Sequence, residues 1–168
     1  MPLSLYQISM PPMMRMLKTM SAFIDKGRRH ADANGMAHAE LLEGRLAPDM
    51  LTLVSQVQRA TDSAKFAAVR VGQVANLVMP DEEKTFDDLQ ARLARTIDFL
   101  QAVPADSMDG REEAEIVLDM RSGPVTFTGT SYLQVFALPN VYFHATTAYA
   151  ILRHKGVPVG KLDFIGGR

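Results

Sequence analysis

The chain is 168 residues long, 47% apolar, with a net charge of −1 and no cysteine. That suits one domain, residues 1–168, around one core, and it excludes disulfides, thiolate catalysis, iron–sulfur clusters and cysteine-based zinc sites. No basic stripe is available to neutralise phosphates, which argues against nucleic acid as a partner.

The opening stretch MPLSLYQISMPPMM lacks a basic region and carries prolines where a signal sequence would be apolar. No apolar run approaches the ~18 residues of a membrane helix. The expectation is a soluble, cytoplasmic protein.

Four helical patterns follow in chain order. The first covers residues 3–33, with Met13, Met16, Leu17, Met20, Phe23 and Ile24 at helical spacing. Pro11 and Pro12 should kink or restart it, because each lacks an N–H and crowds the preceding turn. Asn34-Gly35 is a stop signal. Eleven methionines, five of them between Met10 and Met20, read as core filling at bundle spacing rather than a soft-metal pocket.

The second pattern is the cleanest. Met50, Leu53, Val57, Ala60, Ala64, Ala67, Val71 and Val74 alternate by three and four, as a bundle seam does. Pro48 suits the first helical position, and Asp49 suits the helix dipole. A third helix starts at the Thr85 cap, buries Phe86, Leu89, Leu93, Ile97 and Leu100, and ends at Val103-Pro104.

Residues 113–130 change period. Ile116, Leu118 and Met120 alternate with Val117, Asp119 and Arg121, and after Ser122-Gly123-Pro124 Val125 and Phe127 alternate with Thr126 and Thr128. This predicts a small β-hairpin packed on the helices. Thr130 or Ser131 should cap the fourth helix, which Pro139 should kink and Gly156 should end. The tail VPVGKLDFIGGR reads as irregular, pinned by Phe164 and Ile165. Its glycines and lysine lack the spacing of a phosphate loop. No repeat, linker or second domain is visible.

His144 lies inside the fourth helix among apolar and small residues, and it is the candidate catalytic residue. Asn140 and Thr147 share its face, so a short polar strip lies among small residues. It reads as a hydrogen-bonded core histidine or as the centre of a binding site. His154 lies about 15 Å further along the same helix, too far to share an ion. It suits the negative dipole end instead. His30 and His38 flank the first turn. No HExxH occurs, and "HAE" at 38–40 has no PCxxC after it.

On the second helix Asp49, Gln56, Ser63 and Arg70 recur every seven residues. This row is either a solvated edge or, through Gln56 and Asp49, the source of partners for His144. On the fourth helix Tyr142, Thr146, Tyr149 and Arg153 form another stripe. There Tyr149 and Arg153 are either anion-binding groups or an amphipathic boundary.

The segments RLAPDMLTLVSQVQRATDSAK and LPNVYFHATTAYAILRHKGVPVGKLDF resemble an uncharacterised bacterial domain-of-unknown-function family. That family is assigned to the DinB/YfiT-like metalloenzyme superfamily. The resemblance covers almost the whole chain. It implies an all-α fold: a DinB-like four-helix bundle in up-down-down-up order, commonly a homodimer, here with the hairpin between helices 3 and 4. The connection 76–84 reaches only about 30 Å extended, which favours antiparallel second and third helices, so the two arguments pull apart. The expectation follows the resemblance.

In that superfamily one histidine on the second helix joins an HxxxH pair on the last. The resemblance places His144 on the first histidine of the pair, Ala148 on its partner, and Gln56 near the second-helix position. Two of three ligands are then missing, and no metal or other cofactor is expected. Three functional readings remain. One is a small-molecule-binding bundle with a site at His144, Gln56, Asn140, Asp49 and Tyr149. Another is a thiol transferase or hydrolase using His144 as metal ligand or general base. The last is a structural or interaction protein.

Overall fold

The computed structural model describes residues 3–166. Its helical elements are α1 (Leu5–Asn34), α2 (His38–Leu42), α3 (Leu53–Gly72), α4 (Phe86–Gln101), α5 (Gly129–Ser131), α6 (Leu138–His154) and α7 (Lys161–Ile165). Strands β1 (Glu115–Met120) and β2 (Gly123–Thr128) lie between α4 and α5. The molecule is mostly helical, with one small antiparallel sheet.

Helix α1 starts in a capping box. Ser4 accepts from the Gln7 N–H, and the Gln7 side chain accepts from the Ser4 N–H. The helix then runs through Pro11 and Pro12 without restarting. Met10, Met13, Leu17 and Met20 are fully buried around that point, and their burial outweighs the backbone bonds the prolines remove. Gly35, in a left-handed conformation (φ 63°), ends the helix where Asn34-Gly35 predicted.

Helix α3 begins later than the expected seam. Thr52 caps it by accepting from the Ser55 N–H, so Pro48 and Asp49 belong to the preceding turn and not to a first helical turn. The short α2 was not anticipated. Along α3 the positions Leu53, Val57, Ala60, Ala64, Ala67 and Val71 are all fully buried, as the seam predicted. The third predicted helix corresponds to α4, with Thr85 as its cap. Phe86, Leu89, Leu93 and Leu100 are buried, while Ile97 is half-buried.

In the hairpin Ile116 pairs with Phe127 and Leu118 with Val125. Ile116 and Leu118 face the core. The approach to α5 is tight: a Cβ on Gly129 would run into the backbone carbonyl oxygen of Arg111. The helix cap here is Thr128, not Thr130 or Ser131, since its hydroxyl accepts from the Ser131 N–H.

Between α5 and α6 the chain widens into a π-helical segment, Tyr132–Ala137. The Leu138 N–H reaches back five residues to the Leu133 carbonyl. Pro139 follows without an N–H, so the wider turn takes up the disruption expected as a kink. The tail is not wholly irregular. Residues 161–165 form α7, and Phe164 packs edge-on against Tyr149 at 5.8 Å. Ile165 is 44% exposed and is tied instead through its carbonyl, which accepts from Arg15 Nη2 at 2.8 Å.

The four long helices contact one another chiefly as α1–α4, α4–α3, α3–α6 and α6–α1. Named pairs fix these contacts. Ser21 meets Gln90, Phe23 meets Tyr149, Thr61 meets Arg92, and Gln56 meets His144. No helix is long and apolar enough to cross a membrane, among the described residues.

Candidate functional site

The candidate site lies where α3 meets α6. Gln56 is 1% exposed, so its amide must be satisfied inside the protein. Its NH2 donates to the Leu51 carbonyl at 3.2 Å. A carbonyl can only accept, so this bond fixes which end of the amide faces His144. The Gln56 Oε1 lies 2.7 Å from His144 Nδ1. That oxygen is also only an acceptor, so Nδ1 carries the proton of the neutral ring. Nε2 is left with a lone pair.

No described residue bonds Nε2. Ser107 Oγ is the buried side-chain polar atom without a partner among the described residues, and Nε2 is not another. His144 as a residue is half-buried. Burial of the ring lowers the His144 pKa below its ordinary value, and the positive charge of Arg59 lowers it further. The imidazole is neutral at neutral pH. Phe143 stands edge-on beside it at 5.2 Å and is 58% exposed.

The other sequence candidates are placed differently. Asn140 lies one turn away on the same face, but its Nδ2 donates to the Phe136 carbonyl at 2.7 Å. Thr147 donates to the Phe143 carbonyl at 2.8 Å. Both flanking members of the polar strip are tied to their own helix, and His144 alone reaches α3. Asp49 is exposed in the turn before α3, with no hydrogen bond to the imidazole. Tyr149 faces α1 and α7. Its ring packs on Phe23 and Phe164, and its hydroxyl donates to the Val159 carbonyl at 3.5 Å. Of the named candidates, then, only Gln56 and His144 are brought into contact.

The donor set does not suit a metal ion. The Gln56 oxygen is engaged by an imidazole N–H, the next position one turn along is Ala148, and Nε2 has no second donor beside it. Among the described residues no group of three or more His, Asp or Glu converges as ligands.

Sequence reasoning missed a second polar centre, on the opposite flank of α3. Arg92 is 2% exposed. Its Nε donates to Thr61 Oγ1 at 2.8 Å and its Nη2 to Asp62 at 3.0 Å. Its Nη1 contacts the Pro80 carbonyl at 3.1 Å, Asp81 at 3.0 Å and Glu83 at 2.9 Å. Burial by itself raises the Glu83 carboxyl, but hydrogen bonds from Gln58 and Arg92 outweigh it and hold the pKa below the usual range. The available signal was Arg92 standing three residues after Leu89, on a face otherwise apolar. Lys65, 4% exposed, also pairs with Asp62 at 3.1 Å, and every guanidinium nitrogen is engaged, so this centre fastens the segment 73–85 to α3 and α4 and leaves no guanidinium nitrogen for a ligand.

Comparison with known proteins agrees with this architecture. Residues 5–165 match a domain of unknown function, DUF1993. The chain is similar to the crystal structure of a DinB family member protein from Shewanella denitrificans. The two share 34% sequence identity with a TM-score of 0.91, over 98% of this chain and 93% of that one. No curated protein matches the chain.

Proposed function

The chain belongs to the DUF1993 family of domains of unknown function, and from that premise we propose that it is a small-molecule-binding helical bundle whose recognition group is His144 Nε2. One observation carries the reading: the Leu51–Gln56–His144 chain of hydrogen bonds sets a single tautomer and leaves its lone pair unbonded by protein. A ligand for this atom donates an O–H or N–H. Arg59 nearby favours one that also bears negative charge.

The bundle in this reading is up-down-down-up. Gln56 and Arg70 of α3 meet His144 and Tyr132 in reversed order, which supports opposite directions for α3 and α6. Thr61 meets Arg92 near the middle of α3 and α4, and Gly72, the last residue of α3, lies against Ser107, six residues past the end of α4, which supports a parallel pair. The reading includes a homodimer formed through the exposed apolar face of α6. Tyr142 and Phe143 are 38% and 58% exposed there, and Val135 in the preceding π-helical segment is 64% exposed. The cysteine-free chain suits the cytoplasm.

A second reading makes the same lone pair a general base. Its lowered pKa keeps the ring unprotonated at neutral pH, as a base requires. A metal plays no part in either reading, because the residues present do not fit one.

Diethyl pyrocarbonate, which acylates neutral imidazole nitrogens, tests the exposure on which both readings depend. At pH 6.5 His144 is expected to react at Nε2, located by mass spectrometry, and Arg59→Gln should slow the reaction by raising the pKa. An inert His144 in a folded protein would leave only the structural reading. Calorimetry with zinc, nickel and manganese should show no site that His144→Gln abolishes.

A further inference from the structure

We propose that the cleft between α1 and α7 binds a small amphipathic carboxylate, with its headgroup on Arg15 and Lys18 and its apolar body directed toward Phe164. The cleft is a concavity of about 800 Å3 beside another of about 600 Å3, and Pro11, Arg15 and Thr19 border both. These volumes fall in the range of small-molecule sites, roughly 300–1,000 Å3. The wall opposite α1 is held in place. Lys26 pairs with Asp163, Arg15 Nη2 donates to the Ile165 carbonyl at 2.8 Å, and Phe164 packs on Tyr149.

Charge selects the ligand. Asp163 is the one carboxylate among the described residues lining the larger cavity. Its oxygens are committed to Lys26 and to the Gly160 N–H. Arg15 and Lys18 have no carboxylate partner among the described residues. An anion therefore meets two uncompensated cations there, and a cationic ligand meets repulsion. Beside the cations stand Met14 and Leu162, the latter 67% exposed and free to cover an apolar chain.

The smaller cavity sets the orientation. Pro11 and Pro12 have no N–H to give to the carbonyls of Gln7 and Ile8, one turn earlier in α1, and Gln7 lines this cavity. Met16, Tyr142 and Phe164 on the same walls accept an apolar body. The headgroup thus belongs at the Lys18 end.

Sodium octanoate is the probe, titrated into the full 15N-labelled chain and followed by NMR, with octylammonium and acetate as comparisons. Octanoate should shift Arg15, Lys18, Leu162 and Phe164 amides saturably below about 10 mM, the weak regime expected for a small ligand on an open site. Acetate should bind more weakly, and octylammonium should not saturate. Lys18→Gln, which removes no side-chain hydrogen bond or ion pair among the described residues, should weaken octanoate by about three- to tenfold. His144→Gln should leave it unchanged, which separates this site from the one on α6. No saturable shift with octanoate, equal binding of octylammonium, or undiminished binding by folded Lys18→Gln would each overturn the proposal.

Discussion

Two polar centres flank α3, and they are built in opposite ways. At Arg92 one buried cation meets three carboxylates, a hydroxyl and a carbonyl, and every guanidinium nitrogen is used. At His144 one half-buried ring meets one amide, and a nitrogen is left over. The first centre is rich in the residue types associated with chemistry, yet it leaves no guanidinium nitrogen for a ligand. The second is poor in them, and it keeps a lone pair that no described residue bonds. The contrast teaches that unused valence, more than density of charge, separates a site from a structural knot.

Removing Arg92 should have the largest effect. Arg92→Met strands Glu83 and Asp81 without their counterion, while Asp62 keeps Lys65 at 3.1 Å, and breaking a buried ion cluster from one side costs about 3–5 kcal/mol. Urea unfolding measures it, and a loss under about 1 kcal/mol would demote the centre to a surface network. Gly129→Ala comes next, at about 1–3 kcal/mol. The added methyl meets the rigid backbone carbonyl of Arg111. Gly27→Ala is the internal control. There the new atom meets only Leu152 Cδ2, at 2.9 Å, which a side-chain rotation relieves, and the loss should be smaller.

Gln56→Leu should cost about 1–3 kcal/mol, since both amide hydrogen bonds are lost, to the Leu51 carbonyl and to His144 Nδ1. Its sharper signature is loss of the fixed tautomer. The smallest effects are those of pH. The folded His144 pKa lies below its reference of 6.5, so the unfolded chain binds the proton more readily. Stability from this group is complete above pH 6.5 and falls as pH drops from there through the folded pKa. Glu83 acts in the same direction lower down, below its reference of 4.5. His144→Gln should flatten the upper slope and leave the lower one, and Arg92→Met should reduce the lower.

The buried seams were legible because period and burial coincide. Leu53 to Val71 on α3 and Phe86 to Leu93 on α4 needed only the 3.6-residue repeat. The ends were less so. Met50 and Val74 continue the pattern but lie outside α3, because Thr52 caps the helix and Gln73, at φ 52°, ends it. The estimate for the crossing at 76–84 was too short for the same reason. Residues 73–85 carry no helix or strand and reach on the order of 40 Å when extended, which relaxes the objection to parallel α3 and α4.

At the candidate site the pairing of Gln56 with His144 was legible from the heptad row, because both sit on apolar helices where a polar group needs a partner. Asp49 was drawn into the same row by a helix start placed too early. Asn140 and Thr147 share the face of His144, but local spacing does not reveal that a side chain bonds its own backbone. Arg92 and the π-helical turn were hidden because tertiary contacts, and a missing N–H at Pro139, decide them.

A long-range 1H–15N correlation spectrum of the histidine rings, recorded across the titration, tests the central claim most directly. At neutral pH His144 should show a protonated Nδ1 and an unprotonated Nε2, with its midpoint below that of a free imidazole, and Gln56→Leu should abolish the bias. A ring protonated on Nε2, or charged at pH 7, would contradict it.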